Sequence, residues 1–147
     1  IAAGLPPSPN YKIIPALEKI LLEEGVTNDR KTLLKIAQRI YKSAEGDRAL
    51  NTYGYVLLEN NEIEKAIAVL MVNTILFRRN ANTWDSLAEA YLKNKEFEKA
   101  YINYEKALKI NPSLETAKKK LVELSKYKPV EEKKLEEKKT DKKEKKS

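Results

Sequence analysis

The feature that most constrains this chain is an internal repeat of 34 residues. Residues 47–80 align with residues 81–114 without a gap, and each segment contains apolar residues at helical spacing on both sides of one turn. The aligned pairs are Leu50 with Trp84, Tyr53 with Leu87, Gly54 with Ala88, Leu57 with Tyr91, Ala66 with Ala100, and Leu70 with Tyr104. Because apolar residues recur at steps of three and four, each segment predicts a pair of helices.

Small residues at matched positions indicate how the two helices of a pair fit together. Gly54 or Ala88 in the first helix is expected to face Ala66 or Ala100 in the second. Such small side chains allow two helix axes to approach to about 8 Å, the low end of the usual separation. Two pairs cannot bury all of their apolar surface alone, so flanking helices are needed to complete the core.

The segment before the repeats predicts a degenerate helical hairpin over residues 12–46. Its first helix begins near Pro15 and ends at Gly25, and its second helix covers residues 29–45. Thr27, Asn28 and Asp29 are the candidate N-cap residues of that second helix. Residues 1–11 contain three prolines and little periodicity, so they are expected to form an extended leader or linker.

The segment after the repeats predicts a capping helix over residues 115–126, with Ala117, Leu121 and Leu124 turned inward. Residues 127–147 contain many lysines and glutamates and almost no large apolar side chain. Because such a segment cannot form a core, we expect a disordered or transiently helical tail. Residues 126–147 carry ten lysines and six acidic residues, so much of the chain's net charge of +7 lies there.

Composition favours an all-α protein without a catalytic centre. Only four glycines are present, and strong helix formers dominate. Cysteine and histidine are both absent, which removes the usual thiolate nucleophile, the commonest general base and the usual transition-metal ligands. The Ser125–Lys128 spacing matches an S-x-x-K motif, but lysine is expected there by chance. We therefore predict no enzyme activity, no metal and no cofactor, and we find no apolar run long enough to span a membrane.

The 34-residue period, with two helices per period, resembles the tetratricopeptide repeat over residues 47–114. The second repeat carries the expected residue class at all eight signature positions. The first departs at Asn73 and Arg78, where a small residue and proline are usual. This resemblance implies an α–α superhelix of antiparallel hairpins, a solenoid that serves as a protein-binding scaffold.

A narrower resemblance, over roughly residues 16–125, is to the repeat region that follows serine-hydrolase domains of the β-lactamase-related and esterase kinds in many bacterial proteins. Arg78 departs from this pattern as well, because proline is usual there. The hydrolase domain itself is missing, so the resemblance transfers no catalytic residue. The residues that carry the resemblance are Asn51, Gly54, Tyr55, Asn73, Phe77, Asn82, Asp85, Ser86 and Tyr91.

In a superhelix of this kind the first helix of each pair lines a concave groove. The mixture of polar side chains with one aromatic residue there suits an extended peptide or a partner helix. The alternative is that Asn51, Asn82 and Asp85 stabilise the junction between repeats. Paired cations are missing from these positions, which argues against a C-terminal carboxylate as the ligand. The predicted groove residues are Arg48, Asn51, Thr52, Tyr55, Glu59, Asn82, Asp85, Ser86, Glu89 and Lys93.

The sequence therefore predicts a non-catalytic module that binds another protein. An alternative is an appended or truncated region of a larger bacterial hydrolase, used for docking or for self-association into a homo-oligomer. Nucleic-acid binding through the Lys-rich tail ranks third, since six acidic residues interrupt the tail and it contains no arginine. Either the bacterial cytoplasm or export would fit the sequence.

Overall fold

The computed structural model describes residues 12–44 and 46–146; the predicted leader at residues 1–11 lies outside the described residues. Within those ranges the chain forms helices and no strand, which confirms the all-α prediction. Two short 3-10 helices, Tyr41–Ser43 and Ser125–Tyr127, accompany the α-helices. The α-helices are α1 (Ile13–Glu24), α2 (Arg30–Ile40), α3 (Arg48–Glu59), α4 (Ile63–Leu76), α5 (Ala81–Lys93), α6 (Phe97–Ile110), α7 (Glu115–Glu123) and α8 (Val130–Glu144).

Successive helices pack as hairpins, and each hairpin packs against the next. Helix α3 packs on α4, and α5 packs on α6. The next hairpin is reached through contacts of α4 with α5 and of α3 with α5. At the N-terminal end, α1 packs on α3 and α2 packs on α4, and α7 covers α6 at the other end. The array is a tetratricopeptide-like solenoid, as the sequence predicts.

The small residues singled out in the sequence lie in the core. Ala66, Ala88 and Ala100 have no exposed surface. The expected facing pair is only partly correct for the first hairpin, because the nearest side chain to Gly54 is that of Leu70 rather than Ala66. A Cβ atom placed on Gly54 would lie 2.5 Å from Cδ2 of Leu70 and 2.6 Å from its Cγ. Glycine at this position therefore makes room for a leucine of the second helix.

Both hairpins turn with the same backbone geometry. Asn61 has φ 62° and Lys95 has φ 59°, the left-handed conformation. The Asn61 N–H donates to the Leu58 carbonyl and the Glu62 N–H to the Leu57 carbonyl. The Lys95 and Glu96 N–H groups make the equivalent bonds one repeat later, to the Leu92 and Tyr91 carbonyls. These bonds form a Schellman motif, which satisfies carbonyls at the end of α3 and of α5.

The N-terminal hairpin has the predicted caps but a shorter second helix. Asp29 accepts a hydrogen bond from the Thr32 N–H at 2.9 Å and caps α2. Helix α2 ends at Ile40, whereas the sequence predicts an end at residue 45. The side chain of Tyr41 is exposed, as is that of the lysine that follows it, so these two residues contribute no packing to an α-helix there. Gly46 then adopts φ +148°.

A polar cluster fixes α1 on the first repeat. Lys65 Nζ lies 2.9 Å from Glu18 Oε1, and the Tyr53 hydroxyl donates a hydrogen bond to the same carboxylate oxygen. The hydrogen bond from Tyr53 lowers the pKa of Glu18, and the ammonium of Lys65 adds to this effect. Burial, followed by the Glu18 bond, raises the pKa of Tyr53 to about 12. The cluster joins side chains from α1, α3 and α4.

The charged C-terminal segment, for which the sequence predicts a disordered or transiently helical tail, forms α8. Pro129 precedes the helix, and the segment consists mainly of strong helix formers. Acidic residues occupy the first turn and lysines the last, an arrangement that the helix dipole favours. Lys128 pairs with Glu136, and Lys133 Nζ donates to the Lys126 carbonyl at 3.2 Å. Helix α8 buries no residue, so it forms without contributing to the core.

Candidate functional site

A polar depression of about 440 Å³ lies between α3 and α5. The sequence predicts six of its seven lining residues as groove residues. Matched positions of the two repeats meet here, because Asn51 and Asp85 are 34 residues apart and so are Arg48 and Asn82. The packing of α3 against α5 thus places equivalent side chains in one depression. The lining residues are Asp47, Arg48, Asn51, Tyr55, Asn82, Asp85 and Ser86.

One wall of the depression is held by Tyr55. Its hydroxyl donates to Glu89 Oε2 at 2.6 Å and lies 3.4 Å from Ser86 Oγ. Burial raises the pKa of the Tyr55 phenol, and the Glu89 carboxylate raises it further. The phenol is therefore neutral, and its ring is fixed between the first helices of the two repeats.

Two acceptor atoms in the depression are buried without a hydrogen-bond partner among the described residues. They are Oδ1 of Asn51 and Oδ1 of Asp85. Burial raises the pKa of Asp85, and the nearby Glu89 carboxylate contributes in the same direction. A buried polar group without a partner costs about 1–3 kcal/mol. The depression therefore has unused capacity to accept hydrogen bonds.

Acidic groups outnumber basic groups around these acceptors. Asp47 and Asp85 line the depression, and Glu89 lies at its Tyr55 wall. Arg48 is the one cation among the lining residues that the structure gives for this depression, and its side chain is exposed. The depression is therefore suited to a ligand with hydrogen-bond donors more than to an anion.

Four predicted groove residues are not among the lining residues of the depression: Thr52, Glu59, Glu89 and Lys93. Glu89 lies beside it as the acceptor of the Tyr55 hydroxyl. Lys93 donates to the Leu58 carbonyl at 2.8 Å, so its ammonium satisfies the end of α3. Glu59 is exposed at the last position of α3, and Thr52 is half-buried. The sequence reasoning also missed Asp47. The available signal was its position directly before the first residue of α3, where a side chain can reach the same face as Arg48 and Asn51.

Asn73 connects the second helix of the first repeat to the edge of the depression. Its Nδ2 donates to the Asp47 carbonyl at 2.9 Å, and the side chain has no exposed surface. This bond gives a reason for asparagine where a small residue is usual in the repeat. The bond holds the start of α3, and with it the Asp47–Arg48 rim, in place.

A larger depression of about 700 Å³ lies beside the loop between α4 and α5. It is lined by Arg78 and Arg79 together with the ends of α4, α5 and α6. The Trp84 indole N–H donates to the Arg78 carbonyl at 2.8 Å, and Lys106 Nζ lies 4.7 Å from the Trp84 ring centre. The buried acceptors without partners described above lie elsewhere, so this depression is the weaker candidate for a ligand.

Among the described residues no helix is long and apolar enough to cross a membrane. In the same ranges no three or more acidic side chains are grouped as metal ligands would be.

A family model of the tetratricopeptide repeat matches residues 81–114, which are α5 and α6 with the residues flanking them. No curated protein matches the chain. The match supports a general role in binding other proteins, and repeats of this family are generally non-catalytic. The chain is thus an all-α, tetratricopeptide-like array whose matched repeat supplies one side of the polar depression.

Proposed function

We propose that this protein is a non-catalytic interaction module that binds an extended peptide or a helix of a partner protein in the groove between α3 and α5. The observation that carries the proposal is the depression itself. Equivalent positions of two successive hairpins, one of them matched as a tetratricopeptide repeat, contribute side chains to a single polar concavity.

The mechanism is recognition by a rigid array. Tyr55 is the aromatic anchor, because its hydroxyl is bonded and its ring is half-buried before any ligand arrives. Asn82 and Ser86 add polar groups to the lining of the same depression. Pre-organised side chains lose little conformational entropy on binding, so a few anchors can supply most of the affinity.

The test is a selection of random peptides displayed on phage against the immobilised full chain. The dissociation constants of selected peptides are then measured for wild type, for Tyr55→Ala and for Asn82→Ala. We expect the dissociation constant to rise at least tenfold in one or both groove variants, which corresponds to a loss of about 1.4 kcal/mol in binding free energy. The matched control is Lys109→Ala, an exposed side chain on α6, which should bind like wild type. Selection of no peptide, or equal binding by all variants, would refute the proposal.

A second candidate function uses the same groove within a larger polypeptide. Five of the residues that carry the resemblance to regions appended to bacterial serine hydrolases line the depression: Asn51, Tyr55, Asn82, Asp85 and Ser86. In that arrangement the groove docks on a neighbouring hydrolase domain or on a second copy of the chain. The coding sequence around this region distinguishes the two candidates, because a hydrolase domain directly upstream would favour the second.

We also propose the division of the chain into a degenerate hairpin (residues 12–46), two repeats (47–80 and 81–114), a capping helix (115–126) and a charged segment (127–147).

Nucleic-acid binding through the charged segment, residues 127–147, ranks third among the candidate functions, since several of its lysines alternate with acidic residues and Lys128 is paired with Glu136. A salt titration of RNA binding by wild type and by a chain ending at Tyr127 tests it. Identical RNA binding by the two chains would show that the charged segment does not bind nucleic acid.

A further inference from the structure

We infer that the depression between α3 and α5 binds a lysine or arginine side chain of the partner, with Asn51 and Asp85 as the hydrogen-bond acceptors. This inference rests on the proposed function and names the chemistry of its ligand. It is derived from the groups that the depression leaves unsatisfied.

The first observation is that two acceptor groups of the depression lack a hydrogen-bond donor. Three buried side-chain acceptors have no donor among the described residues: Oδ1 of Asn51, of Asn73 and of Asp85. Asn51 and Asp85 line the depression, whereas Asn73 does not. Asn51 and Asp85 also occupy equivalent positions of successive repeats. Native proteins leave few buried polar atoms without a partner. The presence of two of these residues in one concavity is the observation from which we infer that a bound molecule supplies the donors.

The second step is the charge of that donor. Asp85 carries a carboxylate, Asp47 lies at the rim, and Glu89 lies behind Tyr55. Against these three acids stands Arg48, whose exposed side chain can turn toward solvent. A cationic donor gains charge-assisted hydrogen bonds, which are about twice as strong as neutral ones. An anionic ligand would face the acids and leave both acceptors unpaired.

The third step is the shape of the ligand. Lysine and arginine carry a charged head on a long apolar stem, and such stems pack along apolar surface while the head reaches polar groups. The half-buried ring of Tyr55 provides that surface on one wall. The volume of about 440 Å³ is within the range of about 300–1,000 Å³ that is usual for small-ligand sites. A side chain together with part of its backbone fits this volume.

The competing explanation is that Asn51 and Asp85 stabilise the repeat junction. A stabilising role through these two oxygen atoms requires hydrogen bonds within the chain, and the described residues provide none. The two explanations predict opposite effects of Asp85→Asn. If Asp85 is a ligand-binding group, the variant loses binding while its melting temperature stays equal to or above that of wild type. If Asp85 supports the junction, the melting temperature falls.

The experiment is a phage selection of random peptides against the full chain, run in parallel on wild type and Asp85→Asn. We expect wild type to enrich lysine or arginine at one peptide position and the variant to lose that enrichment. For a selected peptide, replacing the enriched residue by norleucine or glutamine should weaken binding at least tenfold. The matched control is Glu98→Gln, which removes one exposed carboxylate from α6 and should keep the enrichment. The chain carries a net charge of +7, so non-specific attraction works against cationic peptides.

The outcomes separate this inference from the proposed function. Peptides that bind wild type and lose affinity in Tyr55→Ala, but show no preference for lysine or arginine, would overturn the inference and leave the groove as the binding site. An unchanged preference in Asp85→Asn, or a lowered melting temperature in that variant, would also overturn it. Failure to enrich any peptide would reject both. Loss of the preference with an unchanged melting temperature would support the inference.

Discussion

Gly54→Ala sets two effects against each other: the higher helix propensity of alanine and the crowding that its added methyl group causes in the core. Alanine is favoured over glycine in a helix interior by about 0.8–1.0 kcal/mol, so at an uncrowded position the change would stabilise the protein. Gly54 is not uncrowded. A Cβ atom there would lie 2.5 Å from Cδ2 of Leu70.

The expected magnitude follows from the movement that this contact requires. Carbon atoms in contact are about 3.5–4.0 Å apart, so Cδ2 of Leu70 must move by about 1 Å or more. Leu70 has no exposed surface, and its neighbours must therefore move as well. Overpacking of this kind costs about 1–3 kcal/mol. After the gain in helix propensity is subtracted, Gly54→Ala should lower the free energy of unfolding by about 1 kcal/mol, or the melting temperature by roughly 3 °C.

The assay is urea unfolding followed by circular dichroism at 222 nm. Ala88→Gly is the matched control, since Ala88 occupies the equivalent position and already carries a Cβ atom in a fully buried site. It should lose about 1 kcal/mol or more through helix propensity and lost packing. A double-mutant cycle with Leu70→Ala measures the crowding directly. Leu70→Ala alone should cost about 2–5 kcal/mol, and it should cost about 2 kcal/mol less in the Gly54→Ala background, because it removes the crowding that the added Cβ atom causes.

An increase of about 1 kcal/mol in the stability of Gly54→Ala would refute this reasoning, because it would mean that only helix propensity operates at that site. The same conclusion would follow if the changes in the free energy of unfolding caused by Gly54→Ala and Leu70→Ala were simply additive in the double variant.

Three further predictions concern the core and the α1 contact. Trp84→Ala should lower the free energy of urea unfolding by about 3–5 kcal/mol because the ring is buried, and Trp84→Phe should lose less. Ala100→Leu should cost about 1–3 kcal/mol by overpacking, and melting curves unmoved by both changes would reject the helix packing. Glu18→Gln should destabilise most above pH 4.5, the ordinary pKa, and the deficit should shrink as pH falls through the lowered pKa of the folded state. An equal deficit at pH 3 and pH 7 would contradict the role of Tyr53.

The sequence predicted the helix pairs because periodicity and turn residues are local signals. It could not predict the neighbour of Gly54, because Ala66 and Leu70 lie one turn apart on the same face of α4, and the choice between them depends on the shift of α4 along α3. The sequence also could not predict the early end of α2, because that end depends on tertiary contacts. Ala44 continues the helical spacing and packs against the core, but Tyr41 is exposed, and the chain changes to a 3-10 helix after Ile40.

The candidate site was predictable in outline but not in its chemistry. Matched positions of two repeats indicate which side chains share a face, and this led to Asn51, Tyr55 and Asp85. The sequence could not show which acceptors lack a partner, because that depends on distances between helices. It also gave Lys93 a place in the groove, whereas its ammonium bonds the Leu58 carbonyl of the preceding repeat.

The turns at Asn61 and Lys95 have a consequence for how such a protein can change in length. Both redirect the chain through the same main-chain bonds although one residue is asparagine and the other lysine. The course of the main chain between the two helices of a repeat is therefore largely independent of the side chain at the turn. A tandem copy of the 34-residue unit would inherit that turn, so arrays of this design can lengthen by duplication without a new solution for the bend inside each hairpin.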